Sequence, residues 1–353
     1  MNDFPNNENA VIKKAFSWWK IWLAIFLGLS IASFMMYQSL ANQPINDILK
    51  GIHWTSKSWL WLLAAIVCMV GRDFFYMLRI RILTKNQLTW KKSFNVIMLW
   101  EFASALAPGV MSGATVAMFI LNKEKIPMGR STAIIIITAL MDNLFYVLLI
   151  PFVFLFIDQA YLFPKHVQSS TGVQWVFWMG FSIKVVLCLF FFSSIFLIPK
   201  LTSRFLSGLF KLPFLKKWHP KAVKTSEEIE ISSKELKTEP VFFWIKTFFA
   251  TFASWTCRYL VINCILNAFL NLNFLNNIQI LGKQLVLWLL MMVSPTPGGS
   301  GVAEYAFGEL LASFSTSTIL IVGLAILWRL VSYFPYLFIG AFILPRWLKG
   351  DVK

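Results

Sequence analysis

Six apolar runs, at about 21–37, 58–78, 131–157, 173–198, 241–270 and 316–344, each come near the ~20 residues that cross a bilayer as a helix. Inside lipid a backbone must satisfy its own polar groups, so runs of this kind restrict the chain to a bundle of spanning helices. Composition agrees: 58 % of the 353 residues are hydrophobic and 14 % charged, against roughly 25 % charged in an ordinary soluble domain. Two further apolar stretches, 92–122 and 283–313, are interrupted near their middles by Pro and Gly. The first carries Pro108-Gly109; the second carries Pro295, Pro297, Gly298, Gly299, Ser300 and Gly301 within SPTPGGSGVAEY.

The formal charge of +16 invites a nucleic-acid reading, but the placement of the basic residues excludes it. Of 32 Lys and Arg, 23 fall in 1–20, 79–92, 122–130, 199–240 and 346–353. Lys50, Lys57, Lys165 and Lys283 lie in 38–57, 158–172 and 271–283. Basic loops stay in the cytoplasm, so the first group is expected inside, with both termini, and the second outside. The alternation closes only if 93–121 returns to the cytoplasm and 284–312 returns to the exterior. Each broken stretch is therefore expected to be a re-entrant hairpin, the two entering from opposite faces.

Charges and breaks repeat with a fixed spacing. Arg72, Pro108 and Asp142 are separated by 36 and 34 residues; Arg258, Pro295 and Arg329 by 37 and 34. The order span, broken hairpin, charged span thus occurs twice in opposite orientation. We expect an all-α polytopic integral membrane protein with about six spanning helices and two opposed re-entrant hairpins in an inverted repeat. Residues 1–353 form a single transmembrane domain: half one at about 57–157, a connecting span and basic linker at 173–240, and half two at about 241–345.

Paired interrupted helices in inverted repeats point to a transporter site near the midplane. After Gly301 a helix is expected to start near Val302, with its free N–H groups and positive dipole end facing inward, an arrangement that binds phosphate or carboxylate. In the first half, Ser112-Gly113 is expected to open the return. Arg72, Lys184, Lys246, Arg258 and Arg329 lie at membrane depth with Asp73, Glu101, Asp142, Glu304 and Glu309. Such charges must pair or face a cavity. Guanidinium matches phosphate bidentately, so Arg72, Arg258 and Arg329, with Gly298, Gly299, Ser300 and Gly301, are the expected lining of a headgroup pocket. Glu304 suits either a cap on the first turn or, with Glu101 or Asp142, proton uptake. Lys184 has no partner visible in the sequence.

Other signals are spare. Cys68, Cys188, Cys257 and Cys264 fall in spans without metal spacing, and His53, His166 and His219 fall in loops away from any nucleophile; no metal, cofactor or catalytic residue is expected. Ser39-Leu40-Ala41 resembles a signal-peptidase site, but the apolar run before it is long for a signal peptide and is expected to stay as a span. Leu201, Phe205, Leu209 and Leu212 share one face of an amphipathic stretch suited to anionic lipid or to fixing topology.

The run SPTPGGSGVAEYAFGELL, followed about one span later by Arg329 and SYFPY, resembles the flippase-like family that includes the transmembrane region of lysylphosphatidylglycerol synthases. That family carries a P-T-P-G-G-x-G-x-x-E block, matched here by Pro295, Thr296, Pro297, Gly298, Gly299, Gly301 and Glu304. The first break departs from it: MSGATVAMFILNKEK stands where a polar, basic stretch is usual. The resemblance implies a bacterial inner-membrane protein that moves polar lipids, with an anionic or aminoacylated phospholipid as partner. The full synthases add a soluble aminoacyl-transfer domain; this chain, which stops at Lys353, is expected not to synthesise the lipid itself and not to be an enzyme. Two other readings stay open, a non-transporting accessory subunit and an intramembrane headgroup enzyme.

Overall fold

The computed structural model describes residues 54–106, 110–163, 171–198, 233–292, 298–315 and 317–349, together with Phe26, Ser30, Glu230, Ile231, Ser294 and Thr296. The expected first span at 21–37, the amphipathic stretch at 201–212, Pro108-Gly109, Pro295 and Pro297 lie outside the described residues. All regular elements among those described are helical, as the apolar runs require.

Half one comprises α1 (Ser56–Leu83), α2 (Trp90–Leu106), α3 (Val110–Lys123) and α4 (Met128–Phe156); a short α5 (Gln159–Leu162) and α6 (Thr171–Phe192) follow. Half two comprises α7 (Val241–Phe269), α8 (Phe274–Met292), α9 (Val302–Leu311), α10 (Thr318–Ser332) and α11 (Phe334–Lys349). Five segments are long and apolar enough to cross a membrane: Ser56–Leu83, Met128–Phe156, Gly172–Leu197, Val241–Phe269 and Ile319–Leu348. They coincide with the last five apolar runs, and the chain is an all-α polytopic membrane protein. The final run differs in being two helices in succession. Pro335 lacks the N–H that would bond back to Val331, so the helix breaks at Tyr333 and restarts as α11.

Local sequence sets the ends. Thr55 caps α1, its hydroxyl accepting from the Ser58 N–H. At the far end Lys85 and Asn86 adopt left-handed backbone and Asn86 N–H closes onto the Arg81 carbonyl. Lys85 then ion-pairs with Glu239 at 2.5 Å and Glu235 at 3.1 Å. Hydrogen bonds to these carboxylates hold its ammonium above the usual lysine range, and they fasten the residues before α7 to the end of α1.

The most extensive packing joins α1 to α7. Ser58 donates to the Ala268 carbonyl at 2.7 Å, and Ser254 to the Arg72 carbonyl at 3.0 Å. As α1 advances α7 retreats: the pair is antiparallel. Gly71 faces Cys257, and each stands immediately before the arginine of its half. Small and hydroxyl side chains at this seam let two membrane helices approach closely. Elsewhere α2 packs on α3 and on α11, α8 on α9, and α4 on α6. A methyl at Gly340 would overlap the Phe102 ring, so Gly340→Leu is expected to push α11 from α2 and lower the thermal midpoint by several degrees, overpacking typically costing about 1–3 kcal/mol; an unchanged midpoint in detergent would contradict this packing.

The extent of α1 corrects one assignment. Arg79 was expected in a basic loop because the apolar run ends near 78, yet the helix continues to Leu83 and Arg79 is buried. Lys283, expected outside, is likewise buried in α8, donating to the Leu310 carbonyl at 2.7 Å and to Ser313 at 3.1 Å. There it ties the two arms of the second broken stretch together.

Candidate functional site: a charged cavity between the broken helices

A cavity of about 350 Å³ lies where the middles of α4 and α7 meet the inner ends of α2 and α8. The end of α2 and the Gly298–Gly299 turn converge on it. Tyr333 donates its hydroxyl to the Ala105 carbonyl at 3.1 Å, one residue from the end of α2. The same ring lies against Gly298, where an added methyl would overlap it. Ala105, Gly298, Gly299 and Tyr333 all line the cavity, so the end of α2 and the Gly298–Gly299 turn meet at one place.

The second tip is held by polar bonds that its sequence dictates. Gly298, Gly299 and Gly301 have φ of 57°, 68° and 87°, left-handed values that glycine adopts without strain. Thr296 donates to the Ser300 carbonyl at 2.8 Å. The returning helix α9 begins at Val302, as expected, but its start is already capped. Glu304 accepts the Gly301 N–H at 2.5 Å and pairs with Arg329 Nε at 2.8 Å, while both Arg329 Nη atoms donate to the Gly298 carbonyl at 3.2 Å. Of the two roles open for Glu304, the structure shows the cap. Gly298→Ala would combine strained backbone with overlap on Tyr333; we expect loss of about 1–3 kcal/mol of stability and of most activity, and wild-type unfolding by this variant would contradict the tip geometry.

The expected site residues divide. Arg258, Arg329, Gly298 and Gly299 line the cavity, as do Glu101, Asp142 and Lys184. Arg72 does not. It is fully buried behind the wall, bonded to Asp73 at 2.9 Å and to Glu101, with Tyr76 and Tyr336 over its guanidinium. Ser300 and Gly301 lie behind the wall too, in the turn that carries Gly298. Glu101 bridges the halves: it takes Arg72 from α1 and, at 3.3 Å, Arg258 from α7. Asp142 accepts from Arg79 at 2.6 Å and from the Trp255 indole at 2.9 Å.

Aromatic side chains complete the wall and were not singled out in the sequence. Arg258 lies 4.7 Å from the Trp288 ring centre, and Trp255 meets Trp288 edge to face at 5.6 Å. Tyr336 donates to Asp73 at 2.9 Å. The helix spacing that puts Trp255, Arg258 and Tyr259 on one face of α7 was a readable signal; that this face meets Trp288 depends on tertiary packing. Among the described residues no group of three or more His, Cys, Asp or Glu is placed to hold a metal ion. A small, mainly apolar cavity with cations, carboxylates and indoles in its wall, at the mid-length of spanning helices, can bind a charged group.

Comparison with known proteins places the chain. It is 25 % identical over 298 residues to a "UPF0104 membrane protein" from Archaeoglobus fulgidus, which covers 80 % of this chain and 85 % of that protein. No solved structure matches. A family model described as "Lysylphosphatidylglycerol synthase TM region" matches residues 21–340. The chain therefore belongs to the family of the lysylphosphatidylglycerol synthase transmembrane region.

Proposed function

We propose that the protein moves a lipid with an anionic headgroup from one leaflet to the other, binding the headgroup in the cavity between the end of α2 and the Gly298–Gly299 turn. The observation that carries this reading is the convergence of the end of α2 and the Gly298–Gly299 turn on one cavity with charged side chains in its wall, at mid-length of the spanning helices. Its volume suits a headgroup and not two acyl chains, so the chains stay in the hydrocarbon while the headgroup crosses. Under this reading α2–α3 and α8–α9 are re-entrant. At 14 and 10 residues, α3 and α9 extend about 21 and 15 Å, short of the ~30 Å hydrocarbon core.

Arg258 is the cation best placed to exchange partners. Its ion pair to Glu101 is the longest in the cavity wall, and a phosphate approaching it competes with that carboxylate. Headgroup binding then loosens the bridge between halves, and the halves rock about the antiparallel α1–α7 seam to open the cavity to the other side. The protein acts without chemical transformation of the lipid, in a bacterial inner membrane with both termini cytoplasmic.

Reconstitution tests the reading. Vesicles of phosphatidylcholine containing the protein are expected to move headgroup-labelled phosphatidylglycerol between leaflets faster than protein-free vesicles. Folded protein that moves no anionic, zwitterionic or aminoacylated lipid would favour an accessory-subunit role instead.

A further inference from the structure

We infer that Lys184 holds the phosphate of the headgroup, a binding position supplied by α6 from outside the two repeated halves. The inference rests on the transport reading above and deepens it. Three cations line the cavity: Arg258, Arg329 and Lys184. Arg329 is engaged by Glu304 and Arg258 by Glu101. Asp142, the other carboxylate on the wall, is taken by Arg79 and the Trp255 indole. Lys184 alone among these cations has no carboxylate in ion-pair contact among the described residues. Its ammonium rests 4.7 Å from the centre of the Tyr146 ring, held there by the ring face.

Two more polar groups on the same wall are unspent. Thr138 Oγ1 and Asn143 Oδ1, both on α4 and both buried, have no hydrogen-bond partner among the described residues. Both residues line the same cavity as Lys184, and buried polar atoms in a native structure are nearly always satisfied. The ammonium donates to phosphate oxygens. Asn143 Nδ2 donates to the Ala139 carbonyl at 2.7 Å, which leaves Oδ1 as the unspent acceptor of that side chain. Arg258 and Arg329 each already hold a carboxylate, so Lys184 is the wall cation that a negative ligand meets without displacing one. Because α6 lies outside the two sequence triplets, this charge has no counterpart in either of them.

The test measures binding to the full chain in phosphatidylcholine nanodiscs. Short-chain phosphatidylglycerol, short-chain phosphatidylcholine and inorganic phosphate are titrated against wild type, Lys184→Met and Lys184→Arg, with thermal unfolding as the check on folding. Lys184→Met is expected to bind phosphatidylglycerol about tenfold more weakly or worse, and to lose affinity for phosphatidylcholine, which carries the same phosphate, as well, since a charge-assisted contact to phosphate is lost. Lys184→Arg is expected to stay near wild type. Lys184→Met should unfold no earlier than wild type, because the change strips no partner of its charge. Folded Lys184→Met that binds phosphatidylglycerol as wild type does would overturn the inference even if wild type moves lipid. Lys184-dependent binding by a protein that moves no lipid would keep the site and remove the transport reading. Inorganic phosphate bound as tightly as the lipid would overturn the lipid headgroup as the source of the phosphate.

Discussion

Replacing Arg329 with alanine is expected to cost about 3–5 kcal/mol of stability and to abolish lipid movement, because the change leaves Glu304 as an unpaired buried carboxylate. Both side chains of the pair are only 5 % exposed. The same arginine carries two hydrogen bonds to the Gly298 carbonyl, so its loss also frees the second loop tip. The double variant Arg329→Ala/Glu304→Ala should recover a large part of the stability without recovering transport, since it removes the orphaned charge and not the loosened tip. Thermal unfolding in detergent reads the first effect, and the vesicle assay the second. A single variant that unfolds with wild type would show that the pair does not hold the tip.

The second large effect is expected at Glu101. Substitution by glutamine keeps the shape but removes the charge that joins Arg72 to Arg258. In a protein environment of effective dielectric about 20, a charge pair at 4 Å is worth roughly 4 kcal/mol. Release of Arg258 from Glu101 should therefore raise affinity for an anionic lipid by about tenfold or more while slowing its delivery, as the carboxylate no longer displaces the headgroup. Tighter binding with slower turnover is the predicted signature. Binding and turnover both unchanged would show that Glu101 is structural only.

Much of the frame is legible in the sequence, and the reasons differ by element. Length and hydropathy locate the spans because a bilayer imposes them. The spacing of Arg72 and Arg258 from their breaks locates the mid-depth charges, and the start of α9 at Val302 follows from the glycines before it. What the sequence hides depends on contacts between distant segments. Arg79 reads as a loop residue until Asp142, 63 residues away, is seen to receive it. Arg72 reads as a ligand until Asp73, Glu101 and Tyr336 are seen to enclose it. The start of α9 reads as an open anion site, although Glu304 closes it through a local capping bond that the G-x-x-E spacing already contained. Tyr333, which joins both tips, is unremarkable in sequence because neither Ala105 nor Gly298 is near it along the chain.

The central claim is that the headgroup passes through the cavity, and obstruction tests it most directly. Ala139 lines the wall on α4, and Ala139→Trp places a large side chain into the space without touching an ion pair. The measurement is the rate at which this variant, shown to be folded, moves headgroup-labelled phosphatidylglycerol between leaflets of reconstituted vesicles. The account predicts a rate close to that of protein-free vesicles; wild-type rates with the cavity filled would contradict it.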